Sequence, residues 1–294
     1  MVIQARLRHF RHCDLGEGSL WDVQDQALYW VDILKNQVFR FDPSDDSNLV
    51  YEVGDNVGTV VMTRNGKALL ALRSGLCSFD FQSGQVTHVS DPERDKPHTR
   101  FNDGKCDPRG RFWAGTMVEN GPTGDASLYC LDTDLRLRKM LSGVSCSNGL
   151  VWSCDQRRFY YIDTPTRQIQ CFDYDAQTGN IDGRRIVTEL SSEAGLPDGM
   201  AIDRDDGLWV AFFGGAKVAR IDSKTGIIDC EVSVDAPNVT SCAFGGPDLN
   251  ELFITTARVG MSTVELAAFP NAGSLFSVML PVRGQPCTRF ARDL

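Results

Sequence analysis

The feature that most restricts how this chain can fold is a unit of short strands that recurs along its length. Runs of about five β-branched and aromatic residues alternate with Gly, Asp, Asn and Pro turns. Segments 28–32 (LYWVD) and 37–42 (QVFRFD) form one such pair. The pattern returns at 68–72 and 75–80, 111–115 and 127–132, 158–163 and 168–173, 207–212 and 217–222, and 251–255 and 274–279. A further strand-like segment precedes each pair, at 18–22, 59–63, 104–107, 149–153, 199–203 and 241–245. Aligning the turns places equivalent head positions at Glu17, Gly58, Asn102, Asn148, Asp198 and Thr240. By difference of position these heads lie 41, 44, 46, 50 and 42 residues apart. A four-stranded propeller blade occupies about 40–50 residues.

One such unit is a sheet with two apolar faces that it cannot bury alone. Radial stacking buries each face against a neighbour. The pattern therefore predicts an all-β chain, a six-bladed β-propeller forming a single domain over 1–294. The last repeat lacks a fourth strand, and the strand-like segment 5–12 is expected to supply it and close the ring. A pair of β-sandwiches is the alternative fold, but it gives no reason for the regular period. The irregular stretches 91–100, 118–126, 190–197 and 258–273 all fall between strands, as loops.

Composition removes several functional classes. The net charge is −9, whereas nucleic-acid binding needs a basic surface. The ten cysteines are scattered without CxxC or Cys/His spacing, which argues for reduced structural thiols and against a zinc site. The N-terminal residues carry Arg6, Arg8 and Arg11 without an apolar core, so no secretory signal is read, and no apolar run approaches the roughly 20 residues of a membrane span. The expectation is a cytoplasmic protein, monomeric or weakly dimeric, whose partner is a small molecule rather than nucleic acid or membrane.

The heads carry the chemistry. In a propeller the first strand of each blade lines the central channel, so equivalent starting positions form a ring at one mouth. Here that ring reads Glu, Gly, Asn, Asn, Asp, Thr. Carboxylates converging in a narrow mouth repel each other, and a divalent cation relieves that cost. Carboxylate and amide oxygens suit hard ions such as calcium, magnesium or manganese. Three protein donors leave positions open for water and substrate. A lone Asn-Gly reads as a tight turn. The weight comes from Glu17-Gly18, Asn148-Gly149 and Asp198-Gly199 sharing one register in separate repeats. Asp32, Asp80, Asp132, Asp163 and Asp222 are read instead as turn caps on outer strands. The histidines (His9, His12, His88, His98) lie outside the heads, and no Gly-x-Ser-x-Gly elbow or P-loop is present.

The same residues resemble the family of SMP-30 (regucalcin), gluconolactonase and luciferin-regenerating enzyme. The matching motifs are Gly16-Glu17-Gly18-Ser19-Leu20-Trp21, Arg100-Phe101-Asn102-Asp103-Gly104-Lys105, Ala114-Gly115-Thr116-Met117, Ser147-Asn148-Gly149-Leu150 and Pro197-Asp198-Gly199-Met200. Asn238-Val239-Thr240 and Thr255-Thr256-Ala257-Arg258 are similar to bacterial sugar-lactonase members. The resemblance implies one divalent cation held by Glu17, Asn148 and Asp198, with calcium the first choice and zinc, manganese, magnesium and iron(II) the others. It implies that Arg100 and Asn102 contact the hydroxyls of a sugar lactone. Animal members carry a further substrate-contacting Glu after Gly-Thr-Met, where this chain has Asn120, preceded by Glu119.

The implied activity is metal-dependent hydrolysis of an aldonolactone to the aldonic acid in carbohydrate catabolism. Asp198 is then both ligand and general base, and Asp103 is the alternative base, although Asp103-Gly104 also reads as a turn cap. The Asn148 amide is expected to turn its oxygen to the axis. A non-enzymatic calcium-binding or interaction propeller, and a propeller hydrolase of other esters, are the competing readings.

Overall fold

The computed structural model describes residues 2–294. Four separate four-stranded antiparallel sheets follow one another along the chain. The first is Gly16–Asp22, Ala27–Asp32, Gln37–Asp42 and Ser47–Glu52. The second is Val57–Met62, Ala68–Leu72, Gly75–Phe79 and Val86–Ser90. The third is Thr99–Cys106, Phe112–Val118, Ala126–Leu131 and Leu137–Val144. The fourth is Ser147–Trp152, Arg158–Asp163, Gln168–Asp175 and Asn180–Glu189.

The next four strands, Leu196–Ile202, Gly207–Phe213, Lys217–Asp222 and Ile228–Ser233, repeat the pattern. A single residue pair, Phe213 with Asn238, joins them to the last strands, Asn238–Gly245, Glu251–Ala257 and Leu275–Met279. The N-terminus completes the outer edges of both. Val2–Gln4 runs parallel to Ile228–Ser233, and Arg6–His9 lies antiparallel to Leu275–Met279. The parallel pairing has no counterpart in the sequence pattern. The architecture is all-β and consistent with a β-propeller.

The cores lie between sheets. Residues on one strand alternate between the two faces, and each face meets a different neighbour. Trp113 packs with Leu150, Trp152 and Phe159 of the fourth sheet, while the adjacent Phe112 and Ala114 join a core shared with the first and second. Val151 faces Met200 and Val210. Ala201 and Trp209 face Cys242 and Ile254, and Ala243 and Phe253 face Trp21 and Trp30. The succession returns to the sheet where it began. First strands touch in the same cyclic order, closing where Ser19 Oγ lies 2.9 Å from Ser241 Oγ and the Thr240 hydroxyl donates to Gly16 O.

Such contact demands glycine at one head, Gly58, and directly after another, at Gly149. A Cβ on Gly58 would sit 2.3 Å from the Asn102 carbonyl oxygen, and one on Gly149 would sit 2.7 Å from that of Asp198.

The C-terminal tail crosses the far ends of these first strands. Gln285 N donates to Ile202 O, Phe290 N to Met62 O and Ala291 N to Gly110 O. Arg289 reaches the buried Asp22 with both Nε and Nη2 at 2.7 Å. The tail's role was invisible in the repeat pattern because its bonds are not local.

The stretch 258–273, read as loop, contains a short helix, Thr263–Ala268, opened by a Ser262/Glu265 capping box. No helix among the described residues is long and apolar enough to cross a membrane. All ten cysteines are free.

Removing residues 1–12 exposes the edge of Leu275–Met279 and frees the outer strand Ile228–Ser233. The expected result is one cooperative loss of the whole fold, seen as a single lowered melting transition, rather than fraying of a tail. A truncated protein melting with the full-length chain would show that the strand is dispensable.

Candidate functional site

The first strands begin at one mouth, and each begins with a bulge. Register slips between Glu17 and Leu20, Phe101 and Gly104, Asn148 and Leu150, and Pro197 and Met200. A bulge re-aims the side chain it carries, and these fall at the polar heads. Glu17, Asn102, Asp103, Asn148 and Asp198 are all buried, each between 4% and 7% exposed.

The aspartates that end the second strands hold these heads in place. Asp32 accepts from Asp14 N (2.9 Å) and Leu15 N (3.1 Å), just before Glu17. Asp163 accepts from Ser145 N and, at 2.9 Å, from Cys146 N, just before Asn148. Reading these two as caps on outer strands is therefore corrected. They cap, but on inner strands and at the mouth, because the second strand runs back toward the head of the first. Asp80 and Asp222 do cap turns leading to outer strands, accepting from Gln82 N and Ser83 N and from Lys224 N and Thr225 N.

The carboxyls of Glu17 and Asp198 lie close enough to influence each other, with Asp103 close enough to raise both. Burial pushes the Glu17 carboxyl up to about 8, and the neighbouring Asp103 charge adds to the rise. Burial and then the Glu17 charge push Asp198 well above the usual carboxylate range. Burial also raises Asp103, opposed by the Lys105 charge and by the Gly104 N–H that its Oδ1 accepts at 2.7 Å. Two acids in one desolvated pocket cannot both ionise cheaply.

Arg100 lies beside them, 5% exposed. Its Nη1 donates to Asn102 Oδ1 and Phe101 O, both at 2.9 Å, and its Nε to Glu119 Oε1 at 3.2 Å. Nη2 has no protein partner among the described residues. Burial lowers the Arg100 pKa against the raising effect of Glu119. Glu119 also pairs with Arg73, so it bridges two guanidiniums. Asn120 is exposed and makes no side-chain hydrogen bond among the described residues.

The Asn102 Nδ2 donates to Ser147 O at 2.9 Å and to Asn148 Oδ1 at 3.0 Å. Asn148 Nδ2 donates to Thr164 Oγ1 at 2.8 Å. Sequence patterns did not single out Thr164, Cys146 or Arg73. Thr164 follows a second strand, outside the heads, and only folding brings it to Asn148.

Among the described residues no group of three or more His, Cys, Asp and Glu is gathered to hold a metal ion. The residues that the sequence suggests as ligands, Glu17, Asn148 and Asp198, include an amide, which such a group does not count. Those three residues would offer only oxygens, two of them on carboxyls raised chiefly by burial, which is the chemistry a hard divalent cation fits. A cavity of about 220 Å³ lies at the other end of the channel, lined by Lys105, Trp152, Cys242, Phe244, Gln285 and Cys287, and holds none of these donors. A second, of about 250 Å³, adjoins Arg100 and is lined by Arg73, Glu93, Lys96, Phe101 and Thr116.

Residues 15–258 match the model of the SMP-30/gluconolactonase/LRE-like region. The chain belongs to this family. It is 40% identical over 280 residues to YvrE of Bacillus subtilis (strain 168), a protein named as a sugar lactone lactonase, covering 95% of this chain and 96% of that one. It is 41% identical to regucalcin of Danio rerio over 276 residues, 93% of each chain. Among solved structures it superposes on a calcium-binding protein, regucalcin, of Agrobacterium tumefaciens strain C58 with a TM-score of 0.93 at 26% identity, covering 99% of both. The luciferin-regenerating enzyme superposes with a TM-score of 0.90 at 28% identity, covering 98% of this chain and 99% of that one. The family's spread over 15–258 covers all the heads and stops short of the C-terminal tail.

The carboxyl pair sets a pH dependence. Both folded pKa values lie above the unfolded carboxylate value of about 4. Their contribution to stability is therefore fully present below about pH 4 and is lost as pH rises toward 8. The metal-free protein should melt at progressively lower temperature from about pH 5 to pH 8. Glu17→Gln/Asp198→Asn should flatten that slope, as read by calorimetry. An unchanged slope would place its origin elsewhere.

Proposed function

We propose that this protein hydrolyses an aldonolactone to the aldonic acid, with one divalent cation held by Glu17, Asn148 and Asp198 at the mouth of a six-bladed propeller. Membership of the family, and relatives named as lactonases, make the chain a hydrolase of lactone esters. The observation that carries the finer reading is the buried Glu17–Asp198 carboxyl pair. That pair is costly to bury and has no salt-bridge partner among the described residues; Glu17 accepts the Gly18 N–H at 2.8 Å. A bound cation offsets the cost. Calcium is the first candidate, since a relative in the family is named a calcium-binding protein; zinc, manganese, magnesium and iron(II) remain alternatives.

Ring opening needs an activated water, a place for the negative charge that develops on the carbonyl oxygen, and a proton for the leaving ring oxygen. A divalent cation at this position supplies Lewis acidity toward the carbonyl and lowers the pKa of water. The chain supplies the rest. Asp198 accepts the proton of the attacking water as the first candidate general base and returns it to the leaving ring oxygen as the ring opens. Asp103 is the second, with one oxygen already held by Gly104 N–H and the other free to accept. Arg100, with Nη2 unpartnered, donates to the lactone's oxygens, while its Nε and Nη1 are fixed by Glu119, Phe101 and Asn102. Both Nδ2 donors of Asn102 are taken by Ser147 and Asn148, so this side chain offers substrate a lone pair rather than an N–H. Glu119 reaches substrate through Arg100, and Asn120 stands at the exposed rim.

Asp198→Ala and Asn148→Ala should each lower metal-dependent kcat/KM by roughly 10²–10³-fold, the range for losing a stabiliser of developing oxygen charge. The fold should survive, checked by circular dichroism. The assay is a metal-stripped, metal-readded screen over glucono-, galactono-, xylono- and arabinonolactones, corrected for spontaneous ring opening. Full activity in either variant would refute the site.

Arg100→Ala should lower kcat/KM chiefly through KM, by about 10–100-fold for one charged hydrogen bond. An unchanged KM would remove Arg100 from substrate recognition.

A further inference from the structure

We infer that Thr164 is a positioning residue that presents the Asn148 amide oxygen to the cation, and that it does so through a hydrogen-bond chain of fixed polarity. The inference rests on the cation reading given above. Thr164 is buried and opens the turn Thr164–Thr166, directly after the second strand of the fourth sheet. Its Oγ1 donates to Pro197 O at 2.8 Å. A peptide carbonyl only accepts, and a hydroxyl has one proton to give. With that proton committed, Thr164 Oγ1 can only accept from Asn148, at 2.8 Å. The amide nitrogen must therefore face Thr164, and the oxygen must face away from it.

The other end of the chain reaches the same answer independently. Arg100 only donates, and Nη1 gives its proton to Asn102 Oδ1 at 2.9 Å. That turns Asn102 Nδ2 toward Ser147 O and Asn148 Oδ1, at 2.9 and 3.0 Å. The sequence Arg100, Asn102, Asn148, Thr164, Pro197 O thus runs from a pure donor to a pure acceptor. Neither amide can flip without breaking bonds on both sides. Pro197 immediately precedes Asp198, so the acceptor end of the chain is tied to the backbone that carries another donor of the site.

The role of Thr164 is separable from that of mere filling. Valine keeps its branched shape but cannot accept from Asn148 Nδ2, which then loses its reason to face outward. Partners that orient metal ligands commonly change metal affinity by about 10–100-fold when removed. Ca²⁺ binding to the metal-stripped protein is measured by calorimetry, with Mn²⁺ as a second probe. Thr164→Val should bind about 10–100-fold more weakly than wild type, and Thr164→Ser, which keeps the hydroxyl, should restore binding. The deciding comparison is the cycle with Asn148→Ala. If Thr164 acts through Asn148, then Asn148→Ala/Thr164→Val binds no more weakly than Asn148→Ala alone.

Equal affinity of Thr164→Val and wild type, failure of the Ser variant to rescue, or additive losses in the cycle would each overturn the inference. Thr164→Ala replaces the Val variant if the latter does not fold. A wild-type protein that binds neither ion overturns the cation reading and this inference together, and so is distinguishable from a failure of Thr164 alone.

Discussion

A sheet with two apolar faces must be covered on both, and that constraint organises this protein. Trp113 and Phe112 are neighbours in sequence yet belong to different cores, because adjacent residues of a strand point to opposite faces. Sheets stacked in this way form a closed succession, and their first strands are pressed together along the axis. Glycines at or directly after the heads accept that approach; Gly58 and Gly149 have no room for a Cβ. Hydrophobic burial between sheets therefore brings Glu17, Asp103 and Asp198 together, although three acids would not associate in water. Stability gained across the cores holds a charge arrangement that is unfavourable in itself, as is common where a site is built for a ligand.

Around that acidic centre the neutral groups are directional. Asp32 and Asp163 hold the chain segments entering the mouth by accepting backbone N–H groups. Arg100 and the Pro197 carbonyl fix the two ends of a hydrogen-bond chain through Asn102, Asn148 and Thr164. Dipoles oriented before any ligand arrives need little reorganisation during reaction. The far mouth is built differently. There the tail lies across the strand ends, with Arg289 on Asp22, and the nearby cavity is lined largely by apolar and thiol side chains around Lys105.

Much of this was legible without coordinates. The recurrence at about 40–50 residues is a covalent property of the chain and points to propeller-like repeats. The shared register of Glu17-Gly18, Asn148-Gly149 and Asp198-Gly199 marked the heads for the same reason. Strand periodicity likewise anticipated the edge strand near the N-terminus. What misled was proximity along the chain. Asp32 and Asp163 looked like ordinary turn caps beside Asp80 and Asp222, since a local pattern does not say at which end of a sheet a turn lies. The helix Thr263–Ala268 is too short to show a helical period, and only its capping box distinguishes it.

Sequence alone determined which residues recur, where strands alternate and which polar groups begin each repeat, because those follow from composition and spacing. Tertiary structure decided how the polar groups act on one another. The raised carboxyl of Asp198 arises from burial and from Glu17, 181 positions away, and that of Glu17 from burial and from Asp103. The direction in which the Asn148 amide points is set by Thr164 and Asn102, neither of them adjacent in sequence. Desolvation and hydrogen-bond polarity are properties of a packed three-dimensional neighbourhood, and no reading along the chain contains them.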